Sequence, residues 1–415
     1  MPARFGESLS SHAEGRLQFG FEQRVRYESR GGTAFGQAPD CATGLVRTRV
    51  SLAYLPSKWI KFSGMVQDTR TPGYGPNPPN TVRDPADLHE AYFEIRPGAK
   101  TGFGITAGRR MLNYGEVRLI GSPQWGNNSR SYDHVRVYYS TRRAHLEALV
   151  ISPVKVRIGE FNRPVLGDRV WGSYDSFPEV WRKNLLEVYF LRRDQNRPGG
   201  FTAGSQAAGT DRLRLNTAGF RLVGPLVEGV KYSLEGVIQG GRNGVAPHRA
   251  YAWFSSVTWR WTLGVRPLDV TADYKYAFGS PNDPSVSRTF DQLYSAHHDA
   301  FGHQDLFGWR NIHVMHSQAR FGVSKAVAVT AMYTNSWLAS RYDSLYNGAG
   351  KAIARSATGS AGRHIGQEAD VYATIKYRHS VFGAGYGYLL PGTFLKQATP
   401  GAAPSYVYIF HNYSL

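Results

Sequence analysis

A single cysteine, Cys41, stands in a chain of 415 residues, so no disulfide can form within it. Long apolar runs are missing too. No stretch of ~20 hydrophobic residues occurs, which excludes a spanning helix, and mean hydropathy is only −0.39 with 41% hydrophobic residues. Acidic residues are scarce, 31 against 49 basic ones, for a formal net charge of +18. Eleven of those 49 are Lys, leaving 38 Arg. They are spread singly and not gathered in runs, which argues against a nucleic-acid-binding face. A repeat of ~40 residues is absent, which weakens a propeller, and no segment of any length has helical periodicity. No linker divides the chain. The Pro-rich stretch Thr71–Pro85 has similar sequence on both sides and reads as a long loop, so residues 1–415 are expected to form one unit. Polar sequence follows Met1-Pro2-Ala3 at once; residues 1–15 read as a tail or the start of the first strand, with any secretory signal removed or outside this sequence.

What is present is strand periodicity with charge on one face. In Arg16–Glu28, Leu17, Phe19, Phe21, Val25 and Tyr27 alternate with Gln18, Glu22, Arg24, Arg26 and Glu28. Val50, Leu52 and Tyr54 alternate with Arg47, Arg49 and Ser51, and Val135, Val137 and Tyr139 with His134 and Arg136. The pattern persists to the last residue, and aromatics at 13%, including 25 Tyr and 9 Trp, suit the girdles of a membrane barrel. Low hydropathy is compatible with this, because only alternate residues meet lipid. Core packing in a large soluble β protein is the bland alternative. Strands are expected at 16–28, 44–55, 58–69, 87–96, 102–110, 132–140, 143–152, 183–193, 212–223, 228–240, 250–260, 268–279, 310–321, 325–339, 366–378, 381–390 and 404–415. Single-chain bacterial barrels have even strand numbers, so these seventeen imply eighteen or, second, sixteen, with Lys155–Phe161 a candidate for the missing strand. Gly224-Pro225 and His379-Ser380 look like tight turns, and 70–86, 194–211, 280–309, 339–365 and 391–403 like external or inward-folded loops. The expected fold is therefore all-β: a single transmembrane antiparallel barrel with long extracellular loops. Val407, Ile409, Tyr413 and Leu415 give the last strand an apolar face interrupted by His411.

Several motifs resemble the alginate export family of outer-membrane barrels in order and spacing. They are Gln67-Asp68-Thr69-Arg70, Asp87-Leu88-His89-Glu90-Ala91-Tyr92, Gly108-Arg109-Arg110, Tyr114-Gly115-Glu116-Val117-Arg118-Leu119-Ile120-Gly121 and Trp125-Gly126-Asn127-Asn128-Ser129-Arg130-Ser131-Tyr132-Asp133. Phe290-Asp291-Gln292-Leu293-Tyr294 with Asp305-Leu306-Phe307-Gly308-Trp309-Arg310-Asn311 resembles the family's central loop. His364–Asp370 and Gly385–Leu395 resemble its last hairpin. The likeness runs from about 16 to 415, with two departures: the family more often has Gln where Arg110 stands, and a Pro-containing turn where this chain has Ser295-Ala296-His297-His298. It implies a bacterial outer-membrane location and a porin-like channel that exports an anionic polysaccharide.

An exporter of that kind must replace water around carboxylates without holding them, and Arg stays charged while offering a two-pronged hydrogen-bonding fork. A lipid-facing Arg costs roughly 2–4 kcal/mol at the bilayer midplane, so these side chains are expected to face inward and make an electropositive, anion-selective lumen. Alternation places Arg24, Arg26, Arg47, Arg49, Glu90, Glu94, Arg136, His145 and Glu147 on the inner face, and the motifs add Arg70, Arg109, Arg110, Arg118, Arg130, Asp133, Arg310, Glu368 and Asp370 to the expected pathway. Glu90, Asp133, Glu147, Glu368 and Asp370 are expected to pair with neighbouring arginines and hold their forks, or to serve only as structural ion pairs. Expected partners are outer-membrane lipid and lipopolysaccharide, an anionic polysaccharide or small anions, and a periplasmic secretion partner, with the chain a monomer. Two other readings stand beside the exporter: an anion-selective porin, general or specific for one nutrient, and a plugged structural or partner-binding barrel. Enzymatic motifs are weak. His89-Glu90 lacks the second His of a zinc protease, and the glycines at Gly102–Gly108 and Gly383–Gly387 fail dinucleotide-loop spacing and are expected to allow strand bends. No phosphate loop or nucleophile elbow occurs. His297, His298 and His303 form a loop cluster for which a solvated polar role is commoner than metal binding. No enzyme activity, cofactor or metal is expected.

Overall fold

The computed structural model describes residues 15–75, 78–79, 81–97, 101–196, 212–283, 285–296 and 298–415. Among them, eighteen strands follow one another around a closed antiparallel barrel. They are β1 Leu17–Gly31, β2 Cys41–Ser57, β3 Ile60–Arg70, β4 Asp84–Ile95, β5 Gly102–Arg110, β6 Tyr132–Ser140, β7 His145–Lys155, β8 Asp168–Trp181 and β9 Asn184–Asn196. The second half comprises β10 Arg212–Val227, β11 Val230–Asn243, β12 Ala246–Leu263, β13 Arg266–Ala277, β14 Ile312–Gly322, β15 Val327–Leu338, β16 His364–Tyr377, β17 Ser380–Pro391 and β18 Ser405–Ser414. β1 closes the ring on β18, in register from Glu22↔Ser414 to Gly31↔Ser405.

Side-chain parity follows the alternation in the sequence. On β1, Val25 is 48% exposed and Arg24 4%; on β2, Val50 is 42% exposed and Arg49 5%. The apolar member of each pair faces lipid and the charged one the lumen, as the cost of a lipid-facing charge requires. Two-residue turns at 58–59, 182–183, 228–229, 264–265 and 378–379 gather at one end with the start of β1 and the end of β18. This is the end that faces the periplasm in outer-membrane barrels. Long connections leave the opposite end, apart from Gly244-Val245 between β11 and β12.

Three expectations need correction. The strand absent from the sequence reading is β8, whereas Lys155–Phe161 supplies only the last residue of β7 and part of the connection after it. Gly224-Pro225 lies inside β10, where Pro225 faces Lys231 in the ladder, and the turn comes at Glu228-Gly229. The turn near 379 is Arg378-His379, because Ser380 already pairs with Tyr377. The tail 1–14, most of loop 194–211 and His297 lie outside the described residues.

Some strand glycines make room for inward aromatic rings, while Gly102 and Gly108 take φ of +147° and +124°. A Cβ at Gly104 would stand 2.2 Å from the Tyr138 ring, and one at Gly385 2.6 Å from that of Tyr408. The hydrophobic core sits inside the barrel. Tyr132, Ile151, Val170, Leu191 and Leu215 of the inner wall meet Ile120, Phe290 and Trp309 of two long connections, all 0–1% exposed. Those connections, 111–131 between β5 and β6 and 278–311 between β13 and β14, fold into the lumen and determine what the site can be.

Candidate functional site

The inner face of β1 and β2 is an arginine cluster. Register sets Arg24 opposite Arg47 and Glu22 opposite Arg49, and like charges directly opposed across a ladder are destabilising unless something lies between them. Here peptide carbonyls do. Gln124 O accepts from Arg24 at 2.8 Å and Arg47 at 2.9 Å, Gly126 O from the same two at 2.7 and 3.1 Å, and Trp125 O from Arg26 at 2.7 Å. Arg49 donates to the side chains of Gln67 and Gln124 at 2.8 and 2.9 Å. Carboxylates are few: Glu22 lies 2.7 Å from Arg47, and Glu28 3.1 Å from Arg26. The tip of the 111–131 loop is thus clamped to the wall by four arginines whose partners are largely neutral. The Trp125 indole is itself enclosed, with the Arg26 guanidinium 4.3 Å from its ring centre and the His298 ring stacked at 4.8 Å.

The second loop joins the first by backbone bonds: Tyr294 N–H to Leu119 O at 2.8 Å, Gly121 N–H to Tyr294 O at 3.1 Å, and Ala296 N–H to Val117 O at 3.0 Å. Arg130 caps this junction, donating to Tyr294 O at 2.7 Å. The far wall holds the pair through buried charge. Arg193 of β9, fully buried, bridges Asp168 of β8 at 2.9 Å and Asp291 of the loop at 3.1 Å. Arg118 reaches Glu235 of β11 at 2.7 Å and also pairs with Glu116. Glu116 meets Arg221 of β10 at 2.7 Å, and Arg221 meets Glu187 at 2.5 Å. Burial alone would raise the Glu116 carboxyl, but Arg118 and Arg221 overcome this and hold it at about 2.

The other expected pathway residues divide by parity. Arg110 faces inward over the Tyr92 ring at 4.5 Å, Arg136 pairs with Glu147 at 3.3 Å, and Glu94 accepts from Tyr138 Oη at 3.3 Å. His145 lies 3.4 Å from Glu147, and Arg310 sits over Tyr346 at 4.6 Å, 3.9 Å from Asp291. Glu90, Glu368 and Asp370, expected to hold arginine forks, accept loop backbone N–H groups from Met111, Gln304 and His303 at 2.8, 3.0 and 3.3 Å. Arg109 and Asp133 pair at 2.7 Å, in register across β5 and β6. They share the parity of lipid-facing Phe103 and Val135, at 74% and 47% exposure. Arg70 is exposed beside Asp68 at 3.0 Å, on the parity of lipid-facing Phe62 and Val66. These three therefore stand off the lumen, because motif membership carries no information about facing. Sequence reasoning missed Arg193, Arg221, Glu187, Glu235 and Asp168. The signal was present for Arg193, which has the parity opposite to lipid-facing Phe190 within the strand expected at 183–193.

Beneath the two loops, a chamber of about 340 Å³ is lined by Glu116, Lys231, Ser233, Phe254, Lys275 and His298 among others. Lys231 stands beside the 228–229 turn, so the chamber belongs to the periplasmic half. Its walls are charge-balanced: Asp273 pairs with Lys275 and, at 2.6 Å, with His316.

Comparison with known proteins places this geometry. A family described as alginate export matches residues 15–408. No curated protein matches the chain. Among solved structures, Pseudomonas aeruginosa OccK11 (OpdR) superposes with TM-score 0.63 at 9% identity, covering 96% of each chain. P. aeruginosa OpdK with vanillate gives 0.62 at 8% identity, covering 96% of this chain and 98% of that one. Acinetobacter baumannii OccAB1 gives 0.60 at 10% identity, covering 96% of each.

Proposed function

Because the chain belongs to the alginate export family, we propose that this bacterial outer-membrane channel passes an anionic polysaccharide, a polyuronate in kind, outward along the arginine face of β1 and β2 without altering it. The observation that carries the reading is the opposed pair Arg24 and Arg47, whose forks rest on the Gln124 and Gly126 carbonyls. A carboxylate adds opposite charge and takes both prongs of a guanidinium fork in parallel, which a single peptide carbonyl cannot do. A uronate entering the lumen displaces those carbonyls, and the loop tip withdraws as cargo takes its place. Glu22 and Glu28 temper the site, so that binding is favourable enough for entry and weak enough for exit. The whole chain acts as one monomeric barrel in lipid and lipopolysaccharide, with a periplasmic partner delivering polymer to the chamber.

A second reading, a porin for small carboxylates, is favoured by that chamber: about 340 Å³ suits a monomeric acid better than a polymer segment. OpdK, of similar fold, was solved with vanillate. The two readings separate in planar bilayers at low salt, where polyuronate, a neutral glycan and small organic acids are added in turn. The exporter gives anion-selective openings blocked by polyuronate alone, and Arg47→Gln with Arg49→Gln lowers the selectivity while the barrel stays folded. Block by small acids only would favour the porin. Silence under all conditions, including after removal of the Gln124–Gly126 tip, would favour a plugged structural barrel.

A further inference from the structure

The 278–311 loop carries a cluster that the transport reading does not use. His298 Nε2 and His303 Nδ1 lie 3.0 and 2.6 Å from Asp299 Oδ1, and these ligand atoms fall within 4.8 Å of one another. On each ring the other nitrogen is taken by a group outside the triangle. His298 Nδ1 is 2.6 Å from Asp305 Oδ2, and His303 Nε2 is 2.8 Å from Tyr408 Oη on β18. When those outer nitrogens donate, both inner nitrogens present lone pairs to a carboxylate oxygen, an arrangement that either ring protons or a bound cation must relieve. The side chains are also locked in place: His298 stacks on Trp125 and His303 on Tyr372, at 4.8 and 4.6 Å. Asp299 adopts φ +65°, a left-handed conformation that a non-glycine residue takes at a cost.

We propose that His298 Nε2, His303 Nδ1 and Asp299 Oδ1 form a binding site for a divalent transition metal of the zinc class, oriented by Asp305 and Tyr408. Two imidazoles and one carboxylate are a donor set for zinc or its neighbours, not for calcium or magnesium, which take oxygen ligands. A carboxylate or hydroxyl on the distal ring nitrogen is the usual outer support of a metal-bound His, and its loss typically weakens metal affinity about 10–100-fold. His298 and Asp299 line the periplasmic chamber, which gives the ion a route in and leaves the remaining coordination position to water. Bound there, the metal ties the 278–311 loop to β18 through Tyr408 and braces the Trp125 face of the other loop. It therefore acts as a strut for the lumen plug. The proposal does not depend on which anion the channel carries.

The test is Co2+ titration of the detergent-purified full chain, followed by visible absorption. The expected result is one Co2+ per chain with ligand-field bands, displaced by one equivalent of Zn2+ and unmoved by excess Mg2+ or Ca2+. His298→Gln and His303→Gln abolish the bands, and Asp305→Asn weakens affinity about 10–100-fold. His298 is a quarter exposed, so its variant is expected to keep the folded barrel even where the buried His303 variant fails to fold. Absence of a stoichiometric wild-type band, or a band retained in folded His298→Gln, overturns the site.

Discussion

Arg193 shows how one side chain can hold a plug. It is fully buried and shared between a wall carboxylate and a loop carboxylate, and removing it strips Asp168 of this cation and leaves Asp291 with Arg310 at 3.9 Å. That costs about 3–5 kcal/mol. In Arg193→Met the cost falls on docking of the loop, so spontaneous openings in a bilayer should become about two to four orders of magnitude more frequent, at ~1.4 kcal/mol per tenfold. Unchanged opening statistics in a folded variant would remove the anchoring role. What could be read in advance at this scale was facing. Arg24, Arg26, Arg47 and Arg49 were legible because each alternates with a lipid-facing apolar residue. Their partners were not: a backbone carbonyl some hundred residues away, such as Gln124 O, leaves no trace in the identity of the arginine it meets.

Among the elements, β8 escaped the sequence reading for a physical reason. Its segment Gly172-Ser173-Tyr174-Asp175-Ser176-Phe177-Pro178 has the composition of a loop. Gly172 is required where a Cβ would stand 1.9 Å from Phe190 O, and Asp175 serves the ladder with its side chain by accepting the Glu147 N–H at 3.0 Å. Strands with clean alternation, such as β5 and β6, were legible to the residue. The inward course of the 111–131 loop was not, because its anchors are distributed over β1, β2, β10 and β11. One of those anchors sets a pH dependence. Glu116 is held at about 2 against an ordinary 4.5. A depressed carboxyl contributes stability above its ordinary value and loses it as pH falls toward the depressed one. Its contribution should therefore be complete above about pH 4.5 and fade between there and about 2. Conductance recorded from pH 7 down to 3 should stay low until that window and then rise; Glu116→Gln should lose the contribution at every pH. A rise already at pH 6 would assign the latch to another group.

For the molecule as a whole, closure of eighteen strands was legible from the even-number rule and persistent alternation, since neither depends on loop geometry. Charge is the other global property. On the proposed reading, a formal +18 with Arg24, Arg26, Arg47 and Arg49 on the inner wall implies a field whose reach is about 30 Å at 0.01 M salt and about 3 Å at 1 M. Once open, it should be strongly anion-selective at the lower concentration and nearly unselective at the higher. Reversal potentials across a salt gradient, measured at several mean ionic strengths, check this. Selectivity indifferent to salt would place discrimination in close contacts and not in the long-range field.

The seam of the barrel has its own consequence. β1 completes the cylinder by pairing with β18, and the same β1 carries Arg24 and Arg26, which grip the tip of the first loop. The same tip sets Trp125 against Tyr408 and Phe410 of β18, so the gasket spans the seam of the hoop. During biogenesis an intermediate with an open seam should therefore lack that part of the gasket's seat, and its pore should leak more readily than that of the closed barrel.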